Sequence, residues 1–538
     1  MSLRPTFLGF EQMRRSITAA QKGLDITGNN IANIETVGYS RQRVDYMSIN
    51  TPGGSLKYKT SVSLAGQGVE IPGVTQLRDP ILDMRYRSIN AETAESGTRA
   101  GILTNVQDVL DVIGNGEKGF DKAFKDLMSG LSGYATDNAD RVEIANIAIE
   151  NANQIVNVLR DYNYRLNKVT TDTEFEIKTA VDRVSSIFKE IADLNVAIKN
   201  SYISSNDIIV EGNSYKANTT YGPNELKDKR NSLLDELSNY GNMEVIDKDD
   251  GTIQLKFANR LVVDDDYHVQ LGYNVDENTG KMEIYTAIGD QKMQKLESKY
   301  DGLATGALKS YLEMYNGDGV YARPDGDATV QAEGIPYYKK LIDSLANTLA
   351  GAFNEAVKVP GATDDVNKDR VMFESKGGGP ITAENIKVSE AWKNDHEMIA
   401  RVPGDNEFNE LSATLLNRLC AVADKNYKFG LSFDDLNGAN QTNPAVPHSM
   451  EGTFSEYIAH WSNKLGKTIE SETNVYKAKD ITANDILTKR DSVMGVDFNE
   501  EGSNLMNYQK WFSASSRVMT AMDEALDNII NRMGLVGR

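Results

Sequence analysis

Three fragments of this 538-residue chain carry the residue types of reactive sites. Gly114-Asn115-Gly116-Glu117-Lys118-Gly119 fits the Gly-x-Gly-x-x-Gly pattern, in which small residues let backbone N–H groups approach a pyrophosphate at a helix N-terminus. Such a site needs a strand before the glycines. Val106, Leu110 and Ile113 precede them instead, at helical spacing, so the fragment reads as a turn between helices. His396-Glu397 begins like a zinc-protease helix, whose second histidine would stand at position 400; Ala400 is there, and the metal loses a required ligand. Asp364, Asp365, Asn367 and Asp369 resemble a calcium loop, yet counting from Asp365 the sixth and twelfth positions are Arg370 and Lys376 rather than glycine and glutamate. His268, His448 and His460 are scattered, as surface or capping histidines are. Cys420 is the only cysteine, which excludes an intrachain disulfide and a Cys-based metal cage; it reads as a small buried hydrophobe. The residues predict no catalytic, cofactor or metal site. The enzymatic alternative, a surface-exposed hydrolase carried by the middle of the chain, rests on His396-Glu397.

Composition narrows the partners. A formal charge of −20 argues against nucleic acid or an anionic membrane surface, which would repel the chain without a concentrated basic patch, and the sequence has none. With 40% hydrophobic residues the chain can bury cores, and its length suggests two to four domains. Arg4, Glu11, Arg14 and Arg15 interrupt any signal-peptide apolar core, and no stretch is long enough to span a bilayer. Composition alone points to the cytosol.

With chemistry largely excluded, the positioning elements carry the reading. Leu3, Phe10, Ile17, Leu24 and Ile31 fall seven apart, with Met13, Ala20 and Ile34 three residues after three of them; Thr6 and Thr27 weaken the second row. Leu505, Phe512, Met519, Leu526 and Met533 repeat the device, accompanied by Tyr508, Met522, Ile529 and Val536, with Ser515 as the polar exception. Two such seams predict helices that pack together or against copies of themselves; an ordinary amphipathic core helix has the same periodicity. One apolar stripe returns less free energy than ordering a whole helix costs. Both ends are therefore expected to be poorly ordered in a free subunit and to become helical on assembly.

Between the seams, Val44 to Leu77 reads as short strands or an extended arm, and Asp79-Pro80 supplies the N-cap and first position of a long helix to about Ile113. From about Asn138 to Asn200, Ile177, Val181, Val184, Phe188, Ile191 and Ile198 keep four-and-three spacing, with Asn195 the polar member, predicting one very long helix or two in series. Asn224 to Tyr240 reads as a helix, and Met243 to Ile246 and Thr252 to Phe257 as a hairpin turning at Asp249-Asp250-Gly251. Further strands are expected at Leu261 to Val263, Val269 to Tyr273 and Met282 to Ala287, and helices from Tyr337 and from Thr453. The predicted fold is mainly α with a smaller α/β insertion, an elongated and discontinuous subunit whose N- and C-terminal coiled-coil helices fold back together. Its expected domains are 1–60 with 496–538 (terminal coiled coil), 61–200 with 335–359 and 451–495 (helical bundle), 201–334 (α/β), and 360–450 (a short irregular, partly helical insertion), with the middle of the chain outermost.

Leu24-Asp25-Ile26-Thr27-Gly28-Asn29-Asn30-Ile31-Ala32-Asn33, followed by Thr36-Val37-Gly38-Tyr39-Ser40-Arg41, resembles the N-terminal signature of the bacterial flagellar axial proteins, the rod, hook and hook-associated subunits. Asn29, Asn30, Asn33, Gly38 and Tyr39 are its motif positions; Gly38 is expected to take the positive φ that ends a helix, and the asparagines to satisfy backbone groups. Tyr39-Ser40-Arg41 is closer to the hook-associated subunits of the hook–filament junction than to rod or hook subunits. Gly495 to Glu501, Asn504-Leu505, Tyr508-Gln509 and Ala514-Ser515 look like the ending of the same family, and weaker similarity runs through Lys229 to Leu237, Asp249 to Thr252 and Leu341 to Asn354. Some similar sequences carry an outer β domain where this chain has only residues 360–450. The resemblance implies a structural adaptor without catalysis, located extracellularly in the flagellum and exported by the flagellar type III apparatus without a cleaved signal peptide. It implies as partners copies of the chain in a helical tube, hook protein, a second hook-associated junction protein, and a cytosolic export chaperone on the C-terminal helix. The alternative within the family is a hook or distal-rod subunit.

Overall fold

The computed structural model describes residues 8–49, 68–114, 119–137, 142–204, 208–211, 214–217, 221–277, 279–288, 291–296, 302–321, 331–401, 410–430 and 450–528. Helix α1 (Leu8–Ala32) leads into the antiparallel pair β1 (Gln42–Ser48) and β2 (Val69–Gln76). Helix α2 (Pro80–Gly114) starts where Asp79-Pro80 predicts: Asp79 Oδ1 accepts the Ile81 and Leu82 N–H groups at 2.9 and 3.4 Å. After α3 (Phe120–Asp137), α4 (Val142–Ser204) is one uninterrupted helix of 63 residues, about 95 Å long at 1.5 Å per residue, followed by the antiparallel pair β3 (Ile208–Glu211) and β4 (Ser214–Ala217).

That helix spans both hydrophobic cores. Its first half packs Ile155, Leu159, Tyr162 and Leu166 against α3, the end of α2, α7 (Ile335–Ala356) and the start of α9 (Phe454–Met494). Its second half packs Ile177, Val181, Val184, Phe188 and Ile191 against α5 (Asn224–Leu237), α6 (Ala307–Asn316) and two antiparallel sheets. One sheet has the order β5-β6-β7-β8 (Met243–Asp247, Ile253–Phe257, Arg260–Asp264, Tyr267–His268). The other runs β11-β10-β9, from β9 (Gln270–Val275), β10 (Met282–Ile288) and β11 (Gln291–Leu296). Asn195, the polar residue in the α4 seam, is buried where it earns its place: its Oδ1 accepts the Ile253 N–H at 3.2 Å and its Nδ2 donates to Ile253 O at 3.0 Å, riveting α4 to β6.

Between α7 and the C-terminal helices the described residues are more ordered than an irregular insertion. The hairpin β12 (Phe373–Ser375) and β13 (Ile386–Val388), helix α8 (Glu410–Cys420) and the pair β14 (Tyr427–Phe429) and β15 (Met450–Gly452) bury Phe373, Trp392, Leu416, Leu419 and Phe429 in the first core. Hydropathy alone missed this because the buried side chains come singly, between polar turns. Helix α9 then runs back antiparallel along α2, placing Tyr476 against Gly97, Lys479 beside Ser96, and Arg490 over the Tyr86 ring at 4.4 Å. After Gly495, α10 (Phe498–Asp527) lies against α1. The chain is thus mainly helical with small sheets, and its two terminal helices pack together.

Candidate assembly site

Helices α1 and α10 run antiparallel and touch at intervals of seven residues. Gly9 lies under Met522, Ser16 Oγ is 2.7 Å from Ser515 Oγ, Gly23 lies under the Tyr508 ring, and Asn30 Nδ2 donates to Glu501 Oε2 at 3.3 Å. The row α1 offers is therefore small and polar, one position before Phe10, Ile17, Leu24 and Ile31. Glycine permits the approach: a Cβ on Gly23 would stand 2.7 Å from Tyr508 Cδ1 and 2.9 Å from the Tyr46 hydroxyl. Trp511 Nε1 donates to Ser16 Oγ at 2.8 Å, and a register shift in β1 between Asp45 and Met47 accompanies the edge-on packing of Tyr46 against Trp511 at 5.5 Å.

This pairing inverts the hydropathy reading. Thr27 and Ser515, the residues that break the apolar rows, are buried, together with Ala19, Ala20, Asn30 and Glu501. The regular members Phe10, Ile17, Leu24 and Ile31, and Leu505, Phe512, Met519 and Leu526, are only half-buried. Leu3 and Met533, like Ile529 and Val536, lie outside the described residues. A single chain uses its polar rows on itself and leaves two flanking apolar rows partly in water, a surface that packing by further helices would cover.

The motif residues build the joint at the base of this pair. Helix α1 ends at Ala32, six residues before Gly38, so Gly38 with φ +81° serves the following turn rather than the helix end expected of it. Asn30 does the capping at a distance: its Nδ2 donates to Gln42 O at 2.9 Å, and its Oδ1 accepts from Gln42 N at 3.0 Å and from the Tyr39 hydroxyl at 2.8 Å. Asn33 Nδ2 donates to Asn29 O and Oδ1, both at 2.9 Å, while Asn29 Nδ2 reaches Tyr39 Oη at 3.4 Å. Burial raises the Tyr39 phenol well above its usual value, helped by the Asp228, Glu225 and Glu501 charges.

Charge ties the joint to four other helices. Arg41 Nε bonds Glu501 at 2.8 Å, and both its Nη atoms clamp Glu500 at 2.9 and 2.8 Å. This clamp holds the Glu500 carboxyl below its ordinary range. Ser40 Oγ donates to Asp228 Oδ1 of α5 at 2.6 Å, and Arg78 Nη1 donates to Ser40 Oγ at 3.0 Å while its Nε and Nη2 grip Asp83 of α2 at 3.0 and 2.9 Å. Burial nevertheless pushes the Asp228 carboxyl up, outweighing the Ser40 bonds and the Arg78 charge. Arg490 of α9 and Arg87 of α2 meet on Asp235 of α5, each at 2.7 Å. The arrangement is mechanical: five helices locked by directional, charge-assisted bonds at one level.

The fragments with reactive residue types are placed elsewhere and apart. Gly114 closes helix α2, so a helix and not a strand precedes the glycine pattern, whose residues 115–118 lie outside the described residues. His396-Glu397 sits in a turn, with Glu397 paired to Arg401, and Asn367 spends its side chain on the Val359 N–H (2.8 Å) and carbonyl (3.3 Å). Among the described residues no group of three or more His, Cys, Asp or Glu side chains is arranged to hold a metal ion. Cys420 is half-buried and its thiol is pushed up by burial; His448 lies outside the described residues.

Residues 15–39, covering α1 and the motif turn, match the family "Flagella basal body rod protein", and residues 106–359 match "Flagellar hook-associated protein FlgK helical domain". Flagellar hook-associated protein 1 of Bacillus subtilis is 25% identical over 558 aligned residues covering 99% of both chains, and that of Salmonella typhimurium is 22% identical, covering 96% of this chain and 98% of its own. A solved flagellar hook junction protein FlgK from Burkholderia pseudomallei aligns over 54% of this chain and 46% of its own, with a TM-score of 0.42 and 16% identity. With the rod-family match on α1 and its turn, the helical-domain match from the end of α2 through α7, and likeness from end to end, this chain is similar over its whole length to flagellar hook-associated protein 1.

Proposed function

We infer that this chain is a structural subunit of the bacterial flagellum, an adaptor at the hook–filament junction that assembles through its terminal helices and performs no catalysis. The observation that carries the reading is the α1–α10 pair, which satisfies its polar rows internally and leaves Phe10, Ile17, Leu24, Ile31, Leu505, Phe512, Met519 and Leu526 partly exposed on its flanks. Copies of the chain in a tube cover those flanks, the joint at Asn30 and Arg41 fixes the angle at which the pair leaves the body, and the long α4 carries the two cores away from it. Hook protein on one side and a second hook-associated junction protein on the other are the partners such an adaptor joins. The subunit acts outside the cell after export by the flagellar type III apparatus; no described helix is long and apolar enough to cross a membrane. An export chaperone on α10 keeps its apolar row covered beforehand. Leu24→Asp and Leu526→Asp test the reading. Each should abolish junction assembly, read by electron microscopy of reconstituted hooks, while circular dichroism shows the body still folded. Assembly and filament growth with both variants would refute it.

A further inference from the structure

The turn after α1 presents an acidic and apolar knob. Val37 is 95% exposed and Ile34 40%, and Glu35 between them is exposed with no ion pair among the described residues. On another face of α5 lies a cavity of about 780 Å³, a size that holds a few side chains. Five basic and three acidic side chains line it, in a chain whose overall charge is −20. Its floor includes Arg230, only 6% exposed; Nη1 donates to Asn195 Oδ1 and Gly251 O, both at 3.0 Å, while Nε has no partner and no carboxylate among the described residues pairs with it. A buried guanidinium with no carboxylate in contact, only the Asp247 charge nearby, is costly. Burial pushes it down to about 10 and Lys227, one turn away, to about 8, so both gain from an incoming carboxylate. At the rim stand Ile81 and Met84 of α2, 57% and 65% exposed.

Knob and cavity sit at one level of the subunit. Gly38 lies against Ser232 and Ser40 binds Asp228, whereas Lys227, Arg230, Asn231 and Leu234 face the cavity, about a third of a turn around α5 at 3.6 residues per turn. A protrusion and a complementary recess at the same level on different faces define a head-to-tail contact, which repeats around a ring or helix. We propose that the turn Ile34-Glu35-Thr36-Val37 of one copy enters the cavity of the next, with Glu35 directed at the Arg230 floor and Val37 against Ile81 and Met84. This rests on the self-assembly reading above and adds to it a specific lateral contact outside the apolar rows.

The test uses the full chain. A photo-cross-linking phenylalanine analogue replaces Val37 in light chains, which are mixed with heavy-isotope chains under assembly conditions. Light-to-heavy cross-links should map to the tryptic peptide Asp79–Arg85 or to residues 227–248. Val37→Asp, Glu35→Lys and Met84→Asp should each raise the concentration for half-assembly about tenfold, a loss typical of one interface anchor, and Met84→Lys should restore Val37→Asp to within about threefold of the unmodified chain. These positions are exposed, so the variants keep the fold. Cross-links elsewhere in assembled material, or no restoration by the paired change, overturn the contact but leave the assembly reading intact. An unmodified chain that never assembles overturns both.

Discussion

Asn30→Asp changes one atom's chemistry at the centre of the joint. The side chain keeps its size, but the Nδ2 donor becomes an oxygen facing Gln42 O (2.9 Å) and Glu501 Oε2 (3.3 Å). Two hydrogen bonds are lost, at about 1 kcal/mol each, and the stranded Gln42 carbonyl adds about 1 kcal/mol more. The new carboxylate also lies beside the buried Glu501. Two unit charges 3.3 Å apart repel by about 5 kcal/mol at an effective dielectric constant of 20; the Arg41 guanidinium, 2.8 Å from Glu501, offsets much of that. A net loss of about 4 kcal/mol predicts that amides of α1 and α10 exchange roughly a thousandfold faster at neutral pH. Repulsion raises the folded-state pKa of the new acid above its unfolded value, so folding takes up a proton and stability returns as pH falls through that interval. Asn30→Ala should lose the Nδ2 bonds and also the Oδ1 bonds to Gln42 N and the Tyr39 hydroxyl, with no added pH dependence. Hydrogen exchange read by mass spectrometry on peptides within 8–32 and 498–527 gives both numbers. Exchange in Asn30→Asp within threefold of the unmodified chain at neutral pH would refute the claim that this residue locks the joint.

Two other perturbations separate packing from charge. Gly23→Ala puts a methyl 2.7 Å from the Tyr508 ring and should cost about 1–2 kcal/mol in the opening of α1, after crediting alanine's helix preference; Gly28→Ala, with nothing within 4 Å, should instead stabilise α1 by about 1 kcal/mol in the same exchange measurement. The Arg41–Glu500 clamp lowers the folded-state pKa of Glu500, so its contribution is present above the ordinary carboxylate range and lost as pH falls through the lowered value. Glu500→Gln should therefore flatten the acid limb of the α10 protection profile, and an unchanged limb would show the clamp to be idle.

Much of the scaffold was legible because its signals are local. Asp79-Pro80 starts α2, the four-and-three spacing from Ile177 to Ile198 follows the core-facing stripe of α4, and Gly251 at φ +81° turns the hairpin between β5 and β6. The terminal seams were legible as rows but not in their orientation. Hydropathy ranks Leu and Phe above Gly and Ser, whereas the α1–α10 contact selects the residues that allow close approach and hydrogen bonding. The signal was present: Gly9, Ser16, Gly23 and Asn30 are themselves seven apart. Helix α6 also carried a readable pattern, Leu308, Leu312 and Tyr315, all buried against the second core. The joint was beyond sequence reasoning, since the partners of Ser40, Arg41 and Arg78 lie up to 460 positions away and become neighbours only once five helices converge.

The central claim is that one copy cannot shield the apolar flanks of its own terminal helices. Hydrogen exchange of the dilute full chain, compared with the same chain in assembled junctions, tests it most directly. Amides of α1 and α10 should exchange faster than those of α4 in the lone subunit, and both terminal helices should gain strong further protection after assembly. Terminal helices already as protected as α4 in the dilute chain would contradict it.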